Sequence, residues 1–446
     1  MKKYIKAPEI KVGILHAPEI SVKLNGKFAG QSLTGITGDL KFYFSNGKVK
    51  VVSSETDFTS DEILLQPESF ESCFFTVFDV IIGIGFHWQK NEDQVFRGNL
   101  KVIPVANGIR LINIISVEGY LVSVISSEMK ATSSAGLLKA HAVISRSWLL
   151  AQIEKQNDIT GADKEYRTSF VTDSEITRWY DREDHVGFDV CADDHCQRYQ
   201  GITRAFTNEA SLAVNDTSGK VLVFNDRLCD ARFSKCCGGI TELFENTWEP
   251  VSHPYLKRIY DMEGNSNDNA GDLSMEDNAK SWILSKPPAF CNTGDKEILA
   301  QVLNDYDLTT QNFYRWTVTY SREEISELIR NKTGIDFGDI TDLSPVERGV
   351  SGRLVKLRIT GTKKSMVIGK ELEIRKALSP THLYSSAFVP QKVVNDGRES
   401  FVLKGAGWGH GVGLCQIGAA VMGSKGYKYD EILKHYFRGA DLIKLY

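Results

Sequence analysis

The segment Val117-Glu-Gly-Tyr-Leu-Val-Ser-Val-Ile-Ser-Ser-Glu128-Met129 carries one apolar stripe at helical spacing. Glu128 continues the stripe, because it lies three positions after Ile125 and four after Val124. The segment therefore predicts an amphipathic helix with one carboxylate at the edge of the core. Two interpretations stay open: a buried carboxyl group whose pKa is raised by the low dielectric, as a general acid requires, or a helix-end Glu that turns outward to water.

A second, almost entirely apolar helix is predicted directly after the first, from Ala135 to Ile153. Because apolar residues occupy nearly every side of it, we expect this helix in the centre of the core. Arg146 within it then needs an acidic partner. Glu128 and Glu118 are the two candidates for that partner.

Composition excludes several classes of protein. The chain has 446 residues, 42% of them hydrophobic and 25% charged, as in water-soluble globular proteins. The net charge of −4 gives no electrostatic argument for a nucleic-acid partner. No apolar run is long enough to span a bilayer, so we do not expect an integral membrane protein. The basic N-terminus lacks the apolar stretch of a signal peptide, and eight cysteines in this length do not predict a disulfide framework.

The first hundred or so residues predict β-structure, because three Asn-Gly pairs separate apolar or alternating runs in the manner of hairpins. These pairs are Asn25-Gly26, Asn46-Gly47 and Asn107-Gly108. Helical and extended patterns mix in the remainder, and the acidic segment around 262–280 predicts a mobile surface loop. We therefore predict an α+β fold, a mixed β-rich core with a buried central helix pair. We divide it into an N-terminal β module at residues 1–96 and a larger region at residues 97–446.

A glycine-rich stretch, Lys404-Gly-Ala-Gly-Trp-Gly-His410-Gly-Val-Gly-Leu-Cys-Gln416, lies near the C-terminus. Its glycines can adopt positive φ and allow a ligand to approach the backbone closely. Trp408 is either a platform for a sugar ring or a core residue. His410 either orients a substrate or the acid, or is a hydrogen-bonded structural histidine. No Lys-Ser/Thr pair follows the glycines, so a phosphate-binding loop is not expected.

A third cluster offers the ligand types of a tetrahedral Zn²⁺ site within one short segment. Its members are His185, Cys191, His195 and Cys196. The spacing differs from that of zinc fingers, and adjacent residues on a regular strand point in opposite directions. A disulfide between the two cysteines, or free thiols, are the alternatives. We predict a structural zinc ion and no other cofactor.

Together these stretches resemble the stage II sporulation protein D family, which includes an amidase-enhancer (LytB) branch. The resemblance covers roughly the last four-fifths of the chain. It is carried by Arg97-Gly-Asn-Leu100, Asn113, Val117-Glu-Gly-Tyr-Leu121, Ser127-Glu-Met129, Leu138-Lys-Ala-His-Ala-Val143, Arg146, Cys196-Gln-Arg-Tyr199, Gly238-Gly-Ile-Thr-Glu242, Trp248, Pro254-Tyr-Leu256, Gly352-Arg353, Gly405-Ala-Gly-Trp-Gly-His-Gly-Val-Gly413, Gln416 and Gly418-Ala419.

The resemblance implies a peptidoglycan lytic transglycosylase with Glu128 as the catalytic acid. Such an enzyme cleaves the bond between N-acetylmuramic acid and N-acetylglucosamine in glycan strands stripped of stem peptides, and it leaves 1,6-anhydro ends. The resemblance also implies a cell-envelope location, although no signal peptide is visible, and zinc binding in the segment from His185 to Cys196, as in some clostridial members. The substrate-binding residues that it implies are Arg146, His141, Ser234, Trp408, His410 and Gln416.

Several departures from the family pattern affect substrate specificity more than fold. His141 replaces the usual Gln, Cys415 replaces the usual Ser, and Ser234-Lys-Cys-Cys237 stands where many members have His-Ser-Thr-Ser. The main alternative function is a non-catalytic amidase enhancer that binds glycan and stimulates a cell-wall amidase. A zinc hydrolase is a third possibility, which we disfavour because thiol and imidazole ligands from one segment suit a closed structural site.

Overall fold

A computed structural model describes residues 4–30, 33–54, 56–84, 89–130, 132–159, 167–179, 185–205, 208–264, 270–303 and 312–446. Within these ranges, no helix has both the length and the apolar character that crossing a bilayer requires.

Ten strands occupy the N-terminal part of the chain: β1 Glu9–Ala17, β2 Glu19–Gly30, β3 Leu33–Ser45, β4 Lys48–Val52, β5 Asp57–Ser60, β6 Ile63–Pro67, β7 Phe74–Ile82, β8 Lys90–Phe96, β9 Asn99–Val105 and β10 Gly108–Ser116. Helices and shorter strands follow: α1 Val117–Glu128, α2 Ala135–Ile159, β11 Ser169–Val171, β12 Glu175–Arg178, β13 Val190–Cys191, α3 Glu209–Asp216, β14 Lys220–Phe224, β15 Arg227–Leu228, β16 Phe233–Ser234, α4 Glu276–Leu284, α5 Lys296–Val302, β17 Arg315–Ser321, α6 Arg322–Thr333, β18 Ile340–Arg348, β19 Leu354–Gly361, β20 Ser365–Gly369, α7 Glu371–Ala377, β21 Phe388–Asn395, β22 Arg398–Ala406, β23 Leu414–Cys415, α8 Gln416–Ser424, α9 Tyr429–Tyr436 and β24 Asp441–Lys444. This mixture confirms the predicted α+β, β-rich fold class.

The first ten strands and β13 form one sheet, in which eleven described strands take part. The sheet continues across the predicted boundary between residues 96 and 97, because β1 pairs antiparallel with β10 along its whole length. Buried residues on both sides of that boundary, from Ile10 to Phe437, also belong to one hydrophobic cluster. The division into 1–96 and 97–446 stays a prediction, and the sheet links the two parts physically.

Two of the three Asn-Gly pairs form the hairpins predicted for them. Asn46 and Asn107 have positive φ, 50° and 60°, in the turns between β3 and β4 and between β9 and β10. The hairpin predicted at Asn25-Gly26 is wrong, because this pair lies inside β2 where the register with β3 shifts. A Cβ at Gly26 would lie 2.6 Å from the Cys73 sulfur, so the glycine serves a close approach within the sheet.

The predicted buried helix pair is present as α1 and α2. The Ser116 hydroxyl caps α1 by accepting a hydrogen bond from the amide of Gly119, and Ser134 caps α2 by accepting one from Leu137. α2 is longer than predicted, and it packs against α1, α3, α9 and β14. The two helices thus place the C-terminal end of α1, which carries Glu128, beside the centre of the core.

Part of the acidic segment predicted as a loop is helical. α4 begins at Glu276, and its residues Ala279, Trp282 and Ile283 form a buried stripe. The stripe packs against β21 and β22, so tertiary burial stabilises a helix that the polar sequence alone did not indicate. Residues 265–269 of the segment lie outside the described residues.

Candidate active-site cleft

An open cleft of about 1070 Å³ gathers residues from distant parts of the chain. Its walls come from the end of α1, residues 193–198, β16 and the residues after it, α7 with the following loop, and the glycine-rich loop. Seven of the eleven predicted site residues line it: Glu128, His195, Cys196, Ser234, Trp408, His410 and Gln416. The other four do not: His141, Arg146, His185 and Cys191.

Glu128 is the last residue of α1, and only 9% of it is exposed. Gln416, the first residue of α8, forms a side-chain hydrogen bond with Glu128. The Gln416 amide also lies 3.2 Å from Nε2 of His141, whose Nδ1 lies 3.2 Å from the Ser145 hydroxyl. A buried row of polar groups therefore supports the one carboxylate of α1 that reaches the cleft. His141 acts in this row from behind Gln416, without lining the cleft itself.

Glu128 is buried, as the first of its two interpretations requires, but its pKa lies below its usual range and is not raised as that interpretation expects. Burial does raise it, but the positive charges of Arg198 and Lys235, together with His141 and the hydrogen bond from Gln416, hold the pKa below its usual range. In the free protein Glu128 is therefore a carboxylate at neutral pH. The helical periodicity of α1 could not reveal this, because both cations come from other segments. Arg198 is itself held by an ion pair with Asp194 at 2.8 Å.

The glycine-rich loop wraps around a buried guanidinium group. Arg353, only 1% exposed, donates hydrogen bonds to the carbonyl of Gly409 from Nε at 3.2 Å and Nη2 at 3.0 Å. A Cβ on Gly411, where φ is 77°, would lie 2.4 Å from Cζ of Arg353. Only glycine fits there, so the sequence pattern reflects packing around Arg353 as well as access for a ligand.

Trp408 lines the cleft and also packs against aromatic neighbours, so both interpretations of it stay open. Its ring lines the cleft, but it also stacks on Phe313 with a centroid distance of 4.7 Å and meets the edge of Tyr384 at 5.0 Å. It is therefore held rigidly by aromatic neighbours at the cleft wall.

His410 is a neutral, hydrogen-bonded histidine at the cleft wall. Its Nδ1 accepts a hydrogen bond from the amide of Val412 at 3.0 Å. Burial and the nearby Arg232 and Arg353 hold the pKa of His410 well below its usual range. Its ring packs edge-on against Trp248 at 4.9 Å. Both the structural and the substrate-orienting interpretation are compatible with this position.

Ser234 presents a hydroxyl that no described residue satisfies. The residue is 6% exposed, it lines the cleft, and its Oγ has no hydrogen-bond partner within the described part of the chain. Because an unsatisfied buried hydroxyl is costly, a ligand or water in the cleft is its natural partner.

The predicted substrate contact of Arg146 is wrong. Its side chain is fully buried, and it forms a two-pronged ion pair with Glu118 at 3.0 and 2.6 Å. It also donates to the carbonyl of Lys220 at 3.0 Å. Of the two partners proposed from the sequence, Glu118 is the correct one. Arg146 thus connects α1, α2 and β14, well inside the core.

The four predicted metal ligands do come together, partly buried beside the cleft. Their donor atoms all lie within 4.8 Å of one another, a geometry that could hold a metal ion. Individual separations are 3.2 Å from His185 Nε2 to Cys196 Sγ, and 3.8 and 3.6 Å from His195 Nδ1 to the sulfurs of Cys191 and Cys196. Zn–N bonds of about 2.0 Å and Zn–S bonds of about 2.3 Å in a tetrahedron give N···S edges of about 3.5 Å. The donor set therefore fits Zn²⁺.

Sequence reasoning missed most of the charge around the cleft. Besides Glu128, the lining contains six cationic side chains and four further carboxylates: Arg178, Arg198, Arg232, Lys235, Arg375 and Lys376, and Asp193, Asp194, Glu371 and Glu373. Three of the cations form ion pairs with these carboxylates, Arg178 with Glu373, Arg198 with Asp194 and Arg375 with Glu371. Arg198 lies in the resembling segment Cys196-Gln-Arg-Tyr199, but nothing in that segment indicates that it faces Glu128. The other basic side chains belong to no recognisable catalytic or binding motif, and only the fold brings them together at the cleft.

The fold and the cleft define a β-rich α+β protein with a buried, hydrogen-bonded carboxylate in the wall of an open cleft lined by aromatic and charged side chains. A family model described as "Stage II sporulation protein" matches residues 105–224, which include Glu128 and the four candidate metal ligands. A second model, a domain of unknown function (DUF8618), matches residues 242–413, which include Trp408 and His410.

Relatives match over most of the chain. An uncharacterized protein of Brachyspira hyodysenteriae is 24% identical over 348 residues, covering 78% of this chain and 72% of the relative. Stage II sporulation protein D of Bacillus amyloliquefaciens is 24% identical over 328 residues, 74% of each chain. The amidase enhancer of Bacillus subtilis is 25% identical over 336 residues, 72% of this chain but 40% of that protein. The chain is thus similar to stage II sporulation protein D and to the amidase enhancer over 74% and 72% of its length.

Proposed function

We propose that this protein is a peptidoglycan lytic transglycosylase and that Glu128 is its catalytic residue. The observation that supports this most directly is a carboxylate, buried to 9% exposure and bonded to Gln416, in the wall of a cleft large enough for several sugar rings. The resemblance to stage II sporulation protein D is consistent with the cell envelope as the place of action.

One carboxyl group suffices for this reaction. Protonated Glu128 gives its proton to the glycosidic oxygen while the bond from that oxygen to C1 of N-acetylmuramic acid breaks. The Glu128 carboxylate then takes the proton from the 6-hydroxyl of the same sugar as O6 forms a bond to C1. The products are a 1,6-anhydro end and a free N-acetylglucosamine hydroxyl, no water is consumed, and Glu128 is protonated again.

The lowered pKa of Glu128 has a direct consequence for this cycle. The free protein holds Glu128 mainly as the carboxylate at neutral pH, so the acid step depends on the small protonated fraction. A glycan strand that fills the cleft would displace water from Glu128, and that desolvation would raise its pKa toward the working pH. Gln416 and His141 hold the carboxylate in position during both steps.

An exposed basic side chain in the cleft wall supports denuded glycan as the substrate class. Each N-acetylmuramic acid without a stem peptide carries a free lactyl carboxylate, and the exposed Lys376 lies in the cleft wall where it could pair with such a group. Arg178 and Arg375 already form ion pairs with Glu373 and Glu371 of the same wall. The free Ser234 hydroxyl and the Trp408 ring supply a hydrogen-bonding group and an apolar face for a sugar.

The zinc ion, if bound, would be held by His185, Cys191, His195 and Cys196. Four protein ligands complete a tetrahedron, so the ion would serve structure and would leave no position for an activated water. Because His195 and Cys196 also line the cleft, the site would fix residues 193–198, including Arg198 beside Glu128.

The second candidate function is a glycan-binding amidase enhancer without catalysis of its own. Two observations favour it: the relative named amidase enhancer, and a Glu128 that is ionised at neutral pH in the free protein. Both functions require the same cleft.

The deciding experiment is mass spectrometry of the products from denuded glycan strands. The wild-type protein should release 1,6-anhydro-N-acetylmuramic acid ends, and Glu128→Gln should release none while it still binds glycan. Glu373→Gln, which removes another cleft-lining carboxylate, is the matched control and should remain active. A folded wild-type protein that binds glycan but forms no anhydro product would favour the enhancer instead.

A further inference from the structure

A second group of cysteines converges behind the cleft, away from the His185–Cys196 cluster. Cys236, Cys237, Cys291 and Cys415 are free thiols, and each is at most 2% exposed. They come from three separate segments: the residues after β16, the connection between α4 and α5, and the end of β23. Three of them meet the fully buried carboxylate of Asp261.

The donor atoms of Cys237, Asp261, Cys291 and Cys415 all lie within 4.8 Å of one another. Cys237 Sγ is 3.6 Å from Cys291 Sγ and 3.5 Å from Oδ2 of Asp261. A tetrahedral zinc ion with Zn–S bonds of about 2.3 Å and a Zn–O bond of about 2.0 Å has S···S edges of about 3.8 Å and S···O edges of about 3.5 Å. These two separations match the corresponding edges of such a tetrahedron.

Asp261 is oriented as a metal-binding carboxylate would be. Its Oδ1 accepts a hydrogen bond from the Tyr436 hydroxyl at 2.7 Å and lies 3.3 Å from Nε2 of His435. Oδ2 is left facing the thiols. A Cβ on Gly418 would lie 2.4 Å from Oδ2, so the glycine lets α8 pack directly against this carboxylate. Outer hydrogen bonds of this kind commonly fix the ligands of metal sites.

We propose that Cys237, Asp261, Cys291 and Cys415 bind a zinc ion as a closed structural site. Binding displaces the thiol protons, and the ion neutralises part of the charge of three thiolates and a carboxylate that burial otherwise disfavours. A disulfide between Cys237 and Cys291 would use two sulfurs and leave Cys415 and Asp261 without a cation.

The proposed ion would lie directly behind the catalytic wall. Cys415 immediately precedes Gln416, the residue bonded to Glu128, and the carbonyl of Cys237 accepts a hydrogen bond from Arg353 at 3.1 Å. The site would therefore tie the start of α8 and the glycine-rich loop to α4 and α5. It does not depend on the proposed transglycosylase activity.

The test counts zinc in the full-length protein with the first cluster removed. Protein carrying Cys191→Ser and Cys196→Ser, purified with zinc and a reductant, should contain about one equivalent of zinc by elemental analysis. Adding Cys291→Ser or Asp261→Asn should remove it. Adding Cys229→Ser, which changes a fully buried thiol outside the cluster, is the matched control and should leave the zinc content unchanged.

A measurement without further variants guards against misfolding. Zinc-edge X-ray absorption of the Cys191→Ser, Cys196→Ser protein should show three sulfur ligands and one oxygen. The proposal is overturned by a folded background protein without zinc, by zinc that persists in folded Cys291→Ser protein, by iron in place of zinc, or by a Cys237–Cys291 disulfide in the protein as isolated.

Discussion

The pH dependence of catalysis tests the electrostatics of the cleft most directly. Because Arg198 and Lys235 hold the pKa of Glu128 below its usual range, only a small fraction of the free protein carries the proton at neutral pH. The transglycosylase step needs that proton. We therefore expect kcat/KM to fall about tenfold per pH unit above pH 5, a loss of about 100-fold between pH 5 and pH 7.

The assay follows the formation of 1,6-anhydro product from denuded glycan strands, at strand concentrations well below KM to obtain kcat/KM and at saturating concentrations to obtain kcat. The kcat profile should be displaced toward higher pH than the kcat/KM profile, because bound glycan desolvates Glu128 and raises its pKa in the complex. Lys235→Gln removes one cation, which should raise the pKa of Glu128 and move the alkaline limb of the kcat/KM profile to higher pH. A kcat/KM that is constant from pH 5 to pH 7, or a limb that Lys235→Gln does not move, would refute the reasoning.

The other predictions concern stability and glycan binding. Glu118→Gln should lower the free energy of unfolding, measured with urea, by about 3–5 kcal/mol, since it leaves the fully buried Arg146 without its charge partner; a cost below about 1 kcal/mol would contradict the buried ion pair. Trp408→Phe should weaken glycan binding measured by calorimetry, whereas Trp282→Phe, which makes a buried aromatic side chain outside the cleft smaller, should not. If the Trp408→Phe variant bound glycan as tightly as the wild-type protein, Trp408 would be purely a core residue. Burial lowers the pKa of His141 from 6.5 to about 4. Between these two pH values the unfolded chain binds a proton on His141 and the folded chain does not, so the free energy of unfolding falls by up to about 3 kcal/mol as the pH drops from 6.5 to 4. His141→Gln has no such group and should lose less stability over that range; identical pH slopes would show that His141 does not contribute.

The candidate site could be predicted from the sequence wherever the pattern of a short segment already indicates where its residues lie in the fold. The apolar stripe of α1 placed Glu128 at the core edge, and the short segment from His185 to Cys196 identified donors that do meet in space. The same stripe could not predict the ionisation of Glu128. Helical periodicity reports which face of a helix is buried, whereas the pKa depends on cations delivered by residues 198 and 235.

The two secondary-structure predictions that were wrong, the hairpin at Asn25-Gly26 and the loop where α4 begins, failed for the same reason. The Asn-Gly pair at residue 25 has the local chemistry of a turn, but pairing of β2 with β3 and β7 on either side keeps the pair inside the strand, with Gly26 at a positive φ of 92°. The start of α4 has the polar composition of a loop, but burial of Trp282 and its neighbours makes it helical. In both places long-range contacts outweigh a weak local preference.

The mixed fold class, the buried helix pair, the carboxylate at the end of α1 and the glycine-rich loop can all be read from the sequence, because they follow from periodicity and backbone freedom within a few turns of chain. The pairing of Arg146 with Glu118, the contacts of Arg353 with the loop, and the meeting of Cys237, Cys291 and Cys415 with Asp261 become visible only in the folded chain. Charge pairing and metal geometry depend on distances of a few ångströms between residues from distant parts of the chain, and no local pattern encodes those distances.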